Sequence, residues 1–250
     1  MILRSDEYED VPTGDGGVMR THLFRPALPG RFPGLVLFSE IYQVTAPIRR
    51  LAAYIAGHGF VVAVPEVYHE YEAPGIVLAY DQPGTDRGNA LKITKPVAGF
   101  DADAALVLDL LARHPACTGR LGSVGVCLGG HLALRAAFDP RVGAAALFYP
   151  TDVHSGTLGA GKQDDSLARL GELSGETLFV WGRQDPHVPF PGREAIRARL
   201  EAVEARYEWH EVNAAHAFLR DEGPRYDPAL FAQATGWMFA LFQRVLSASY

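Results

Sequence analysis

The sequence predicts an α/β fold in which a mostly parallel central sheet carries helices on both faces. Two observations predict it: short unbroken apolar runs recur along the chain, and amphipathic stretches of helical period separate them. A strand buried on both faces reads as a continuous hydrophobic run, the mark of a parallel sheet covered by helices. A third observation sets the scale. At 250 residues with 48% hydrophobic side chains, the chain suits one domain spanning 1–250 with a sizeable core.

Residues 1–30 mix charge with Gly14, Gly16, Gly17, Pro26 and Pro29, and 18–24 alternate like an edge strand, so an antiparallel lead-in is expected. Residues 34–38 form the first buried strand, which stops at Ser39-Glu40-Ile41. The stretch 46–58 is helical in pattern and ends at Gly57 and Gly59; 60–64 repeats the buried strand before Pro65. Residues 65–100 hold the most polar and aromatic mixture in the chain, with Tyr68, His69, Tyr71, Tyr80 and Arg87 set among Pro74, Pro83 and Pro96. A long excursion of this kind covers a site. Helix returns over 99–114, with Ala104, Leu108 and Leu111 on one stripe. Strands at 142–149, 178–181 and 207–212, with helices in 191–206 and 227–246, complete the alternation.

Between them lies the stretch that organises the rest, Leu121-Gly-Ser-Val-Gly-Val-Cys127-Leu-Gly-Gly130. It reads as a short strand, a turn of the form Gly-x-Cys-x-Gly-Gly and a helix beginning with small residues, the nucleophile-elbow pattern with cysteine in the serine position. Gly125 and Gly129 allow strand and helix to approach with no Cβ between them. The amide of Leu128, at the helix N-terminus, is then placed to face a developing oxyanion, and the helix dipole favours thiolate over thiol.

A thiol nucleophile needs a base and a group that orients the base. The chain order for such a fold is nucleophile, acid, histidine. Asp185 follows a predicted strand in Trp181-Gly-Arg-Gln-Asp185-Pro-His187, and His216 follows another in Glu211-Val-Asn-Ala-Ala-His216. His210, inside the last strand, and His187, beside Asp185, are rivals for the base. Glu40, Cys127, Asp185 and His216 all fall just after strand ends, the edge where open α/β sheets bind ligands.

The net charge of −6 and the lack of any Lys/Arg block exclude nucleic acid as an expected partner. The acidic start lacks the apolar core of a signal peptide, and no apolar run reaches spanning length, so a cytoplasmic protein with no membrane partner is expected, a monomer or small homo-oligomer. In a reducing cytosol Cys117 and Cys127 are expected as thiols. No pair of histidines has zinc spacing beside a carboxylate, and neither metal nor cofactor is expected.

The elbow Gly125-Val-Cys127-Leu-Gly-Gly130, the loop Gln184-Asp185-Pro-His-Val-Pro189-Phe-Pro191-Gly-Arg193, the segment Ala215-His216-Ala-Phe-Leu-Arg220 and Ser39-Glu40-Ile41 together resemble the dienelactone hydrolase family, in the family's order and over most of the chain. The resemblance implies an α/β-hydrolase fold and a triad of Cys127, His216 and Asp185. It also implies that Glu40 accepts the thiol proton when substrate arrives, which protects a resting thiol from oxidation. By the same resemblance the amides of Ile41 and Leu128 form the oxyanion hole, and Arg87 and Arg220 bind a substrate carboxylate. The sequence departs from the family at Leu91 and Thr94, where tyrosine and tryptophan are usual, and at Val126, where tyrosine is common. The expected function is therefore hydrolysis of a small anionic lactone or ester, dienelactone-like with maleylacetate as product, through an acyl-enzyme. A broad carboxylesterase or thioesterase on the same triad is the alternative, and a binding protein that holds a small ligand without turnover is a third.

Overall fold

The apolar runs and amphipathic stretches become eight strands and six α-helices in a computed structural model that describes residues 1–14 and 16–247. In chain order these are β1 (Leu3–Pro12), β2 (Val18–Pro26), β3 (Phe32–Phe38), α1 (Ala46–Ala56), β4 (Val61–Pro65), α2 (Gln82–Thr94), α3 (Val97–Arg113), β5 (Cys117–Val126), α4 (Leu128–Ala136), β6 (Val142–Phe148), β7 (Glu176–Gly182), α5 (Phe190–Ala202), β8 (Tyr207–Val212) and α6 (Pro228–Leu246). All strands join one sheet in the order β1-β2-β4-β3-β5-β6-β7-β8. The strands β4-β3-β5-β6-β7-β8 pair parallel, and β2 and β1 add an antiparallel margin at one edge.

Two apolar layers sandwich the sheet. Side chains of α3, α4 and α5, including Leu108, Leu132 and Ile196, fill one; α1 and α6 fill the other with Ile48, Leu51, Met238 and Phe242. The continuous runs of β3 and β4 belong to both layers, as a doubly covered strand must. Among the described residues no helix is long and apolar enough to cross a membrane.

Two elements differ from expectation. The first ten residues contain an edge strand of their own, β1, whose exposed charges hide its period; Arg20 and Arg25 on β2 clasp Asp10 and Glu7 across the pair, at 2.8 Å each. The excursion at 65–100 contains α2, which carries hardly any apolar stripe because only Gly84, Gly88 and Leu91 are buried. Asp81 caps that helix by accepting from the Gly84 amide at 2.8 Å. Gly88 is required by contact: a Cβ there would lie 2.5 Å from the Ile41 carbonyl oxygen, so α2 lies directly against the loop after β3.

Candidate active site

Cys127 stands between β5 and α4 with φ 59° and ψ −125°, a strained conformation that only surrounding structure can hold. Its amide donates to the Phe148 carbonyl on β6 at 3.1 Å, and its carbonyl accepts from Gly130 at 3.0 Å. The turn has no room for other residues. A Cβ at Gly125 would sit 1.9 Å from the Gly129 carbonyl oxygen, and one at Gly129 would sit 2.1 Å from that of Phe38 on β3. The glycines thus let α4 start directly on the sheet, with its N-terminus at Leu128 behind the sulfur.

The acid and the histidine are brought together by a continuation of the β7–β8 pairing. Beyond the strand ends the Arg183 amide donates to Val212 at 2.8 Å and that of Gln184 to Ala214 at 3.0 Å. Gly182 permits the closure, since a Cβ would meet the Ala214 carbonyl oxygen at 2.4 Å. Asp185 accepts from the His187 amide at 2.8 Å on one oxygen and lies 2.6 Å from Nδ1 of His216 on the other. Both groups are buried. Burial disfavours the His216 imidazolium, but hydrogen bonding to Asp185 and the attraction that a thiolate at Cys127 exerts outweigh it; the ring is then pushed up to about 10. His216 is thus tied to Asp185, and Cys127 acts on the same ring.

Glu40, after β3, is 3% exposed. Burial raises its carboxyl above the ordinary range, offset in part by Arg220 and by a hydrogen bond from Tyr80. The Tyr80 hydroxyl donates to Oε2 at 3.0 Å, and Arg220 approaches Oε1 at 3.7 Å. Arg220 stacks on the Tyr80 ring, 4.3 Å from its centroid, and its buried Nε has no hydrogen-bond partner among the described residues. A guanidinium with a long ion pair and an unused donor is suited to take a further anion.

Cys127, His216, Glu40, Ile41 and Arg220 line one cavity of about 290 Å³. Comparison with known proteins bears on this arrangement. The model of the dienelactone hydrolase family matches residues 19–246. A putative carboxymethylenebutenolidase of Saccharomyces cerevisiae is 43% identical, with 98% of this chain and 93% of that protein covered. The carboxymethylenebutenolidase of Pseudomonas putida is 32% identical over 78% of each chain. The chain belongs to the dienelactone hydrolase family. The crystal structure of a putative dienelactone hydrolase from Klebsiella pneumoniae superposes with TM-score 0.85 at 25% identity, covering 98% of this chain and all of that one, so the fold is that of an α/β-hydrolase.

Within the family frame, Arg87 is where expectation and structure part. It is exposed, its Nε donates to Glu72 at 2.6 Å, and it is not among the residues that line the cavity. Five positions further along the helix, Lys92 does line it, with its ammonium 3.0 Å from both oxygens of Asp152. Arg225 lines it too, and no hydrogen bond or ion pair ties that guanidinium among the described residues. Tyr42, Lys92, Asp152 and Arg225 escaped sequence reasoning, whereas Tyr80 lies in the excursion expected to cover the site. They come from loops and from a helix without periodicity, and their meeting is a product of topology.

The rival histidines separate cleanly. His210 stacks on Trp237 at 3.8 Å, away from the sulfur. His187 lies edge-on to His216 at 4.5 Å and lines the cavity; burial and the His216 charge hold it below its ordinary value, so it is a neutral wall. Of the excursion's aromatics, Tyr68 is fully buried and donates to the Gly88 carbonyl at 3.3 Å, whereas Tyr71 is exposed. His69 joins Asp103 and Lys95 in a buried charge cluster.

Two groups bring three ligand-type atoms within 4.8 Å of one another: Asp185, His187 and His216, and His69, Glu70 and Asp103. In the second, the Lys95 ammonium lies 2.6 Å from both Glu70 and Asp103, where a cation would be. In the first, the 2.6 Å bond between His216 and Asp185 engages two of the three. The cysteines are both free thiols. Strand β5 runs between them, a separation of roughly 30 Å at about 3.3 Å per residue, so no bridge can join them.

Proposed function

We propose that this enzyme opens a small anionic lactone or ester in the cytoplasm by a Cys127-His216-Asp185 triad through an acyl-enzyme. The observation that carries the reading is the shared cavity: a sulfur at a strained elbow, an imidazole fixed by a buried carboxylate, and an under-satisfied arginine on the same wall.

The steps follow from the groups present. Glu40 takes the thiol proton as substrate enters; burial raises its affinity for that proton. The thiolate adds to the carbonyl carbon, and the negative charge that develops on oxygen is held by the amides of Ile41 and Leu128. The C–O bond then breaks, His216, present as the imidazolium, gives its proton to the leaving oxygen, and in a lactone that oxygen stays tethered in the acyl group. Water attacks the thioester, His216 takes the proton of the water, the C–S bond breaks to release the acid, and Glu40 returns its proton to the freed thiolate. Asp185 keeps the ring in one orientation throughout. A dienelactone would give maleylacetate.

Arg220 and Arg225 are assigned the substrate carboxylate. Hydrogen bonds to charged groups contribute about 1.5–3 kcal/mol, so Arg220→Ala should raise KM for anionic substrates roughly 10–100-fold and leave neutral esters little changed. Arg225→Ala should act in the same direction, and Arg87→Ala should not. Hydrolysis of dienelactone and of neutral nitrophenyl esters by the three variants tests this. Equal rates on both substrate types, insensitive to Arg220, would favour the broad carboxylesterase reading, which the outward position of Arg87 already supports.

A further inference from the structure

Glu40 and Arg220 form a wall with two sides. They line the cavity of Cys127 and also an adjoining chamber of about 190 Å³. The floor of that chamber is Val126, the residue before the nucleophile, together with Leu219. Ile48 and Leu51 from α1 and Phe231 from α6 form its sides. Tyr149 closes the inner end, and its ring meets that of His216 edge-on at 5.0 Å. The charged group on the outer side is already committed, since Arg50 donates to Asp221 at 2.6 and 2.7 Å and to Glu222 at 2.7 Å. Apart from the wall of Glu40 and Arg220, the surface left for a ligand is mostly apolar.

We infer that this chamber is a substrate subsite that takes one phenyl ring, or a branched alkyl group of similar bulk, on the acyl side of the bond cleaved. Size points to that class, since a cavity of about 150 Å³ holds a benzene ring. Position points to the acyl side. Val126 precedes Cys127, whose sulfur would carry the acyl group, the Tyr149 ring meets that of His216, and Glu40 and Arg220 line both the chamber and the cavity of the sulfur. The two side chains are joined only by a long 3.7 Å pair, which a rotamer change can part. The catalytic part of the inference rests on the reading of Cys127 as nucleophile; the binding part does not.

Ethyl acetate, ethyl butyrate and ethyl phenylacetate, followed by pH-stat, keep the leaving group constant. Burial of a methylene corresponds to a three- to fourfold gain in kcat/KM, and ethyl phenylacetate is expected to exceed ethyl acetate at least about tenfold. Val126→Phe places a ring in the chamber and should abolish that preference. Phe231→Trp fills it from α6 and tests the same point should the first variant not fold. Independently of turnover, calorimetry with Cys127→Ala should find phenylacetate binding at least about tenfold tighter than acetate, with the difference lost when Val126→Phe or Phe231→Trp is added. Binding selectivity without hydrolysis of any ester would defeat the assignment of Cys127 and keep the chamber. Equal kcat/KM together with equal affinity for phenylacetate and acetate, or a preference that survives both filling variants, would overturn the subsite.

Discussion

At the scale of single residues, burial and charge act on the same groups that would do chemistry. Glu40 has its folded-state pKa raised above the ordinary 4.5. A raised acid contributes stability that is whole below the unfolded value and is lost as pH rises through the folded value. Glu40→Gln removes that loss, so its melting temperature relative to the native protein should climb as pH rises from 4.5 toward neutrality, while activity falls. Thermal melts across that range check it, and a gap that narrows with pH would contradict the account. His216, pushed up to about 10, makes a second test, because the charge on Cys127 is among the causes. NMR titration should show the ring rise toward 10 when a substrate-like carboxylate binds and the thiol proton passes to Glu40, with a smaller rise in Cys127→Ala. A ring that does not move on binding, or that moves equally in Cys127→Ala, would contradict the account. The residues of this unit were legible in sequence because each follows a strand end in the order the fold demands. Arg87 was misplaced for a physical reason: a helical neighbour such as Lys92 faces the cavity, and a residue five positions away on the same helix turns toward Glu72.

At the scale of elements, close backbone approach sets the geometry. Gly88 holds α2 against the Ile41 carbonyl, so Gly88→Ala should push the loop after β3 outward and lower kcat more than it raises KM; steady-state kinetics on a neutral ester would show it. At Gly129 the obstacle is the backbone of β3 and cannot yield by a rotamer change. Gly129→Ala should cost about 3 kcal/mol or more, equivalent to roughly 6–12 °C of melting temperature for a chain of this size. Strands β3, β4, β6 and β7 were readable because each is a run of apolar residues between breakers, and β5 because its end carries the Gly-x-Cys-x-Gly-Gly turn. Helix α2 was not, because it is capped by Asp81, interrupted by glycine and solvated on most of its surface. Strand β1 was hidden by charges that pair with β2 and carry no period.

At the scale of the whole molecule, the sheet delivers side chains from β3, β5, β7 and β8 to one edge, and the excursion at 65–100 supports that edge from beneath. Its anchor is the fully buried Lys95, whose ammonium contacts Asp103, Glu70 and the Val67 carbonyl at 2.6, 2.6 and 2.9 Å. Removing one partner of a buried pair leaves an uncompensated charge at a cost of about 3–5 kcal/mol. Lys95→Met should therefore destabilise strongly, and Lys95→Met with Asp103→Leu should recover part of the loss in denaturant melts. Nothing in the composition of residues 95–103 foretold this cluster, because it needs the loop after β4 to fold over α3. The central claim for the molecule is that Cys127 carries the acyl group between two half-reactions. Rapid quenching with a slowly hydrolysed ester, followed by mass spectrometry of the peptide that contains Cys127, tests it directly. The account expects the acyl mass on that peptide and none in Cys127→Ala, which should also lose activity by at least about a thousandfold. Turnover with the acyl mass on another residue, or undiminished in Cys127→Ala, would contradict it.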